Sequence, residues 1–282
     1  MGMDSHSLHF LRYVRAQYGA LGKVITLGRI GNFLGPRASR KWVDFGDTEN
    51  RFCEAMLKQH FGATIVDSID NSAYEGATII SDMNQPIAAQ LIGQYDCVLD
   101  FGCTEHIFDV AQCFRNVMAL CKPGGVILHC VPTNGFCGHG FYQFSPELFF
   151  TLYSESNGFE QTQVYVAELD DTNHWYRVSP PVNGARINLW SPGQMHVFAI
   201  TRRKVIREIS LQQSDYMYEW ENARPDAPAL NRHGRSAKIK ELCSRLRLIA
   251  RCRTALDARF SPHGPKKPHQ HPALTRIPIE RS

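Results

Sequence analysis

Two histidines stand in settings suited to proton chemistry. His106 follows Glu105 within Asp100-Phe-Gly-Cys-Thr-Glu105-His106-Ile-Phe-Asp109, and His139 lies in Cys137-Gly-His-Gly140-Phe-Tyr142. Imidazole gains and loses protons near neutral pH, so either residue is a candidate base toward a hydroxyl group. Glycines on both sides of His139 and an aromatic after it suit an exposed loop at a site better than a core. Glu105 is a third candidate, as a base or as the group that orients an imidazole. The plainer alternatives are that His106 caps a helix and that His139 is an ordinary surface residue.

A second set of residues closes short apolar runs. Gly28 ends Lys23-Val-Ile-Thr-Leu, Asp70 ends Ala63-Thr-Ile-Val-Asp-Ser-Ile, Asp82 follows Ala77-Thr-Ile-Ile-Ser, and Asp100 closes the run that begins at Tyr95. Each run reads as a buried strand. Between and after them the periodicity turns helical. Asp47 or Thr48 can cap a helix reaching about His60. Val110, Phe114, Val117, Met118 and Cys121 share one helix face, and Lys122-Pro-Gly-Gly125 stops it. Gly125 to Val131 reads as a fifth strand. Ser145-Pro146-Glu147 has the cap, the first-turn proline and the acid of a helix start, and that helix is expected to reach about Asn157. Phe159–Glu168 and Met195–Arg202 add two more strands. Short apolar strands alternating with helices predict an α/β protein: a doubly wound, mainly parallel, seven-stranded sheet covered on both faces. Ligands of such sheets bind at the carboxyl ends of the strands, where Gly28, Asp70, Asp82 and 100–105 fall. An acid ending the second strand suits the hydroxyls of a ribose, although a turn aspartate would look the same.

Domain limits follow from composition. Residues 1–22 read as an N-terminal helical cap, 23–205 as the sheet domain, 206–235 as a linker, 236–260 as a basic amphipathic helix and 261–282 as a disordered tail. Residues 202–282 hold 18 Lys/Arg against 8 Asp/Glu, a net +10, whereas 1–201 hold 13 against 19, a net −6. The helix at 236–260 carries Ile239, Leu242, Leu246, Ile249, Ala250 and Leu256 on one face. It is expected to dock that stripe on the body or on a second subunit, or to touch an anionic surface. No specific nucleic-acid partner is expected, since neither a helix-turn-helix nor the aromatic platform of an RNA-binding sheet is seen. The 169–192 segment, with Trp175, Tyr176 and Trp190, reads as a hairpin or flap between the last two strands. Nine cysteines, an odd number without any CxxC pair, argue against a disulfide framework and a thiolate zinc site. No metal ligand set is read from spacing, and a reducing, cytoplasmic compartment is expected.

The block Tyr95-Asp-Cys-Val-Leu-Asp100-Phe-Gly-Cys-Thr-Glu105-His106, a helix, then Lys122-Pro-Gly-Gly125 resembles the fourth- and fifth-strand region of class I S-adenosylmethionine-dependent methyltransferases. Phe141-Tyr-Gln-Phe-Ser145-Pro146-Glu147-Leu148 and Gly158-Phe159-Glu160 are similar to the same family's next helix and strand. The resemblance implies a Rossmann-like fold, S-adenosylmethionine as cofactor and methyl transfer. A small-molecule or glycan-type acceptor methylated at oxygen is expected, with sugar hydroxyl, small metabolite and carboxylate all open. The resemblance also implies Asp70 on the ribose and Asp82 on the adenine amino group, with Met83 against the ring. Asp100, Phe101 and Gly102 would lie beside the methionine end. The family's acid-x-Gly-x-Gly-x-Gly loop is reduced here to Thr26-Leu-Gly28-Arg-Ile-Gly31, with only Gly28 matching. That departure keeps open a catalytically inactive, scaffolding use of the same fold. A Rossmann oxidoreductase is disfavoured because no G-x-G-x-x-G follows the first strand.

Overall fold

Alternation along Tyr95–Asp100 explains how the molecule is layered. Cys97 and Leu99 face one buried cluster and Val98 the other, so this strand carries apolar groups on both faces. A strand with that pattern needs cover above and below. The computed structural model describes residues 2–34, 51–181, 187, 189–209, 268–270 and 274–278.

In chain order the elements are β1 (Gly2–Met3), α1 (Ser5–Tyr18), β2 (Gly22–Leu27), β3 (Gly31–Asn32), α2 (Glu54–Phe61), β4 (Ala63–Asp70), β5 (Ile79–Ile80), β6 (Tyr95–Asp100), α3 (Val110–Leu120), β7 (Cys121–Asn134), α4 (Pro146–Leu152), β8 (Phe159–Glu168), β9 (His174–Val178), β10 (Met195–Arg203) and β11 (Leu274–Pro278). The main sheet has nine strands in the order β11-β9-β8-β10-β7-β6-β2-β4-β5. Strands β5, β4, β2, β6 and β7 are parallel neighbours, and β10 lies antiparallel between β7 and β8. β1 and β3 form a separate short parallel pair.

Helices α3 and α4 bury Phe114, Val117, Met118 and Phe149 on one face of the sheet. Helices α1 and α2 bury Phe10, Leu11, Met56, Leu57 and Phe61 on the other. The sheet is therefore the doubly wound α/β arrangement expected, but mixed rather than mainly parallel, with nine strands where seven were expected. The two additional strands have a physical cause. The 169–192 segment takes the hairpin form of its two expected ones: His174–Val178 turns back to pair antiparallel with β8, and Leu274–Pro278 pairs with it in turn. Trp175 is buried there between Phe10, Tyr165 and Phe198, and donates its indole N–H to His6 Nδ1 at 3.2 Å. Residues 274–278, expected to be disordered, are thus a strand. The helix at 236–260 and its docking or anionic-surface role lie outside the described residues, as does most of the linker. Among the described residues, no helix is long and apolar enough to cross a membrane.

Helix termini follow local chemistry. Asp4 caps α1, its Oδ1 accepting from Ser7 N at 2.8 Å, and Asp109 caps α3 in the same way through Gln112 N at 2.9 Å. α4 ends at Leu152, earlier than the pattern suggested. A single 3₁₀ turn over Glu155–Asn157 follows, and Gly158, at φ 85°, closes it in a left-handed conformation.

Candidate active site

The chain winds from β2 outward to β4 and β5, then returns to β6 on the other side of β2. Such a reversal opens a crevice at the carboxyl ends of the strands. A crevice of about 360 Å³ lies there, walled by Ile69, Asp70 and Asn71 after β4, Asp82, Met83 and Asn84 after β5, and Gly102, Cys103, His106 and Ile107 after β6. Its lining thus combines the apolar residues Ile69, Met83 and Ile107 with the acids Asp70 and Asp82.

The loop after β5 is held by a residue the sequence reading missed. Asn116, buried on α3, donates through Nδ2 to Met83 O at 3.1 Å and to Gln85 O at 2.8 Å, and accepts from Ile87 N at 3.2 Å. The available signal was an amide embedded in the apolar stretch Cys113–Leu120. Asp82 Oδ1 accepts from Asn84 N at 2.9 Å and Asn84 Nδ2 at 2.7 Å. The Asn84 backbone N–H, helped by its side-chain amide, holds the Asp82 carboxyl below its ordinary range. Asp70 Oδ1 accepts from Ser72 N at 3.0 Å.

Asp100 and Phe101 do not line the crevice. Asp100 lies on the same face of β6 as Val98 and points beneath α3 and α4, fully buried. There it accepts from Thr104 Oγ1 at 2.6 Å, Cys103 N at 3.1 Å and Thr104 N at 3.2 Å, with His129 Nδ1 at 2.7 Å. Phe101 points the other way and packs near Phe10. The parity of the pleat decides both orientations. Gly28 is also outside the crevice lining. It adopts φ 64° and donates its N–H to Ile69 O at 2.7 Å, while Thr26 Oγ1 donates to Gly28 O at 2.7 Å. Gly102, at φ 87°, does border the crevice.

Glu105, His106 and His139 are brought together. Glu105 and His106 lie in a 3₁₀ turn, and the 135–142 loop folds over it. Glu105 O accepts from Phe141 N at 2.7 Å and Tyr142 N at 3.2 Å. Gly140 is needed at this crossing: at φ 70°, its absent Cβ would lie 2.8 Å from Glu105 O. His139 Nε2 is 3.5 Å and His106 Nε2 3.9 Å from Glu105 Oε1, and the two rings meet edge to face at 4.9 Å. Both histidine side chains are about half exposed (47% and 48%), whereas Glu105 is wholly buried and neither carboxylate oxygen has a hydrogen-bond partner. Burial, reinforced by Asp100, pushes the Glu105 carboxyl up to about 8; burial, reinforced by His139, pulls His106 down. Two exposed rings flank the cluster: Phe108 and Phe141 meet edge to face at 6.0 Å, and Tyr142 OH donates to Phe108 O at 2.7 Å.

No curated protein sequence matches the chain. Among solved structures, the chain is similar to the 1,6-didemethyltoxoflavin-N1-methyltransferase of Burkholderia thailandensis, crystallised with 1,6-didemethyltoxoflavin and S-adenosylhomocysteine. Identity is 15%, over 71% of this chain and 79% of that one, with a TM-score of 0.41. It is also similar to an S-adenosylmethionine-dependent methyltransferase from Archaeoglobus fulgidus, at 12% identity over 71% of this chain and 94% of that one, TM-score 0.41. The family profile described as a methyltransferase domain matches residues 16–196, a span that contains β2 through β9 and every residue of the crevice. The chain belongs to the class I S-adenosylmethionine-dependent methyltransferase family.

Proposed function

We propose that this protein transfers the methyl group of S-adenosylmethionine to an oxygen of a small-molecule or sugar-like acceptor bound at Glu105, His106 and His139. The observation that carries this reading is the fully buried, unpartnered Glu105 carboxylate with two imidazoles beside it, one of which, His106, also borders the crevice.

The crevice suits the cofactor. Asp70 at the end of β4 retains acceptor capacity for two ribose hydroxyls beyond its bond to Ser72. Met83 gives an apolar surface to the adenine ring, and Asp82 an acceptor to its amino group. Gly102 lets backbone approach the methionine end without a Cβ in the way. When bound, S-adenosylmethionine supplies an electrophilic methyl on a sulfonium. Transfer to the acceptor oxygen would be an in-line displacement from that sulfonium, so the positioning of the acceptor by this chain's residues would supply much of the rate. The Glu105–His106–His139 cluster holds the hydroxyl and receives its proton. Phe108 and Phe141 offer a flat apolar rim for the acceptor. The free thiols of Cys53, Cys97, Cys103, Cys113, Cys121, Cys130 and Cys137 fit a reducing, cytoplasmic setting.

The test couples binding to turnover. Calorimetry with S-adenosylmethionine measures the crevice, and formation of S-adenosylhomocysteine with a panel of hydroxyl-bearing acceptors measures transfer. His106→Gln and His139→Gln are expected to lower turnover by about 10²–10⁴-fold with cofactor affinity nearly intact. A loss below threefold for both variants would remove the cluster from the reaction.

A further inference from the structure

We infer that Glu105, His106 and His139 bind one first-row divalent cation of the Zn²⁺ type at the border of the crevice. This rests on the acceptor reading above but changes the part the cluster plays: its nitrogens and carboxylate would serve as ligands instead of taking the proton, and the ion would hold the acceptor oxygen and acidify its hydroxyl, the proton leaving to solvent.

Geometry comes first. One ligand atom from each residue lies within 4.8 Å of the other two. His139 Nε2 and His106 Nε2 stand 3.5 Å and 3.9 Å from Glu105 Oε1. Around an ion with bonds of about 2.0–2.1 Å, tetrahedral ligand atoms lie roughly 3.3–3.4 Å apart. The cluster therefore needs to contract by only a fraction of an ångström on these two edges, within the reach of two half-exposed side chains.

Chemistry supplies the second argument. Buried polar atoms without a hydrogen-bond partner cost free energy, and both oxygens of Glu105 are in that position. A cation between Glu105 and the two imidazoles removes that cost. Two nitrogens and one oxygen suit Zn²⁺ or its first-row neighbours, whereas Mg²⁺ and Ca²⁺ prefer shells of oxygen.

The backbone holds the three ligands in register. Phe141 N and Tyr142 N donate to Glu105 O, which fixes the loop bearing His139 over the turn that bears Glu105 and His106. Gly140 permits the close crossing. Three protein ligands leave a position open for substrate. Because His106 is shared with the crevice wall, an acceptor oxygen taking that position would lie beside the cofactor site.

The experiment uses the 282-residue chain, stripped with a chelator and titrated with Zn²⁺ alone by calorimetry, with Co²⁺ followed in parallel by visible absorption. One equivalent per chain is expected, with affinity lowered at least tenfold by Glu105→Gln, by His106→Gln and by His139→Gln, since even the groups behind metal ligands change affinity by about 10–100-fold. The two histidine variants alter half-exposed side chains and are checked for folding by circular dichroism. No binding, or stoichiometric binding unchanged in all three variants, overturns the inference. If Zn²⁺ does not bind but His139→Gln still lowers turnover, the cation is wrong and the acceptor site stands. If Zn²⁺ binds and is lost in the variants while methyl transfer is unaffected, the cation site stands and the acceptor reading falls.

Discussion

Asp100 and His129 face each other across the neighbouring parallel strands β6 and β7, Oδ2 to Nδ1 at 2.7 Å, with no exposure of either side chain. The far nitrogen of His129 bonds Tyr153 OH from beyond α4, so a polar chain of three residues runs through an otherwise apolar layer. Burial alone would push the Asp100 carboxyl up, but the bonds from His129, Thr104 and Cys103 outweigh it and hold the group below its ordinary value. A carboxyl depressed on folding adds stability that is present above its unfolded value and is lost as pH falls through the folded one. Removing Asp100 strands a buried imidazole and hydroxyl, so Asp100→Ala is expected to cost about 3–5 kcal/mol. Denaturant titration at pH 7 checks it.

Cofactor affinity is expected to separate two acids of β4. Asp70 ends the strand in the crevice, whereas Asp67 Oδ2 accepts from Tyr95 OH at 3.0 Å, away from the crevice lining. Asp70→Ala loses a charge-assisted bond of roughly 1.5–3 kcal/mol, at least a tenfold rise in Kd. Asp82→Ala does the same more mildly. Asp67→Ala leaves the Kd of the folded protein unchanged. Titration calorimetry on the three variants distinguishes them.

Asn116 is expected to couple stability to the crevice. Asn116→Leu removes two bonds to carbonyls and one from Ile87 N, stranding groups at about 1–3 kcal/mol. It frees the 82–87 loop to move. Hydrogen exchange should rise across that loop, and S-adenosylmethionine affinity should fall although Asn116 is absent from the crevice wall.

His196 supplies an acid sensitivity of its own. Burial, assisted by His6 and His139 and opposed by Asp4, lowers it to about 4. The unfolded chain takes up this proton near pH 6.5 and the folded one only near 4, so stability falls as pH drops between those values, by up to roughly 3 kcal/mol. His196→Gln should flatten that part of the stability profile measured by thermal melting.

Some of this was legible in residue order, and the rest was not. β4 runs Ala63–Asp70 and β8 runs Phe159–Glu168, the limits their apolar patterns indicate, because each run is bounded by glycine or by acid. The expectations for Asp70, Asp82, Met83 and Gly102 named residues that share one crevice, since strand ends are readable from where apolar runs stop. Asp100 and Phe101 were unreadable in a different sense. Their strand is buried on both faces, so no polar alternation reveals which way its last residue points. His129 was hidden for the same reason, inside the apolar run of β7. The pairing of β9 with β11 joins residues about a hundred positions apart, and neither strand carries a pattern that names its partner.

The seam between β9 and β11 also means that the sheet is discontinuous in sequence. Residues 274–278 return from the far end of the chain to cover the outer side of β9, with Arg276 and Pro278 on the strand that faces outward. A charge and a proline on an outermost strand discourage further pairing, and at the opposite margin β5 is only two residues long. A chain shortened to end just after β10 would leave bare the edge of His174–Val178 that β11 covers. Such a protein has the colloidal behaviour of an unprotected sheet margin, so it should self-associate through β9 at concentrations where the 282-residue chain stays dispersed.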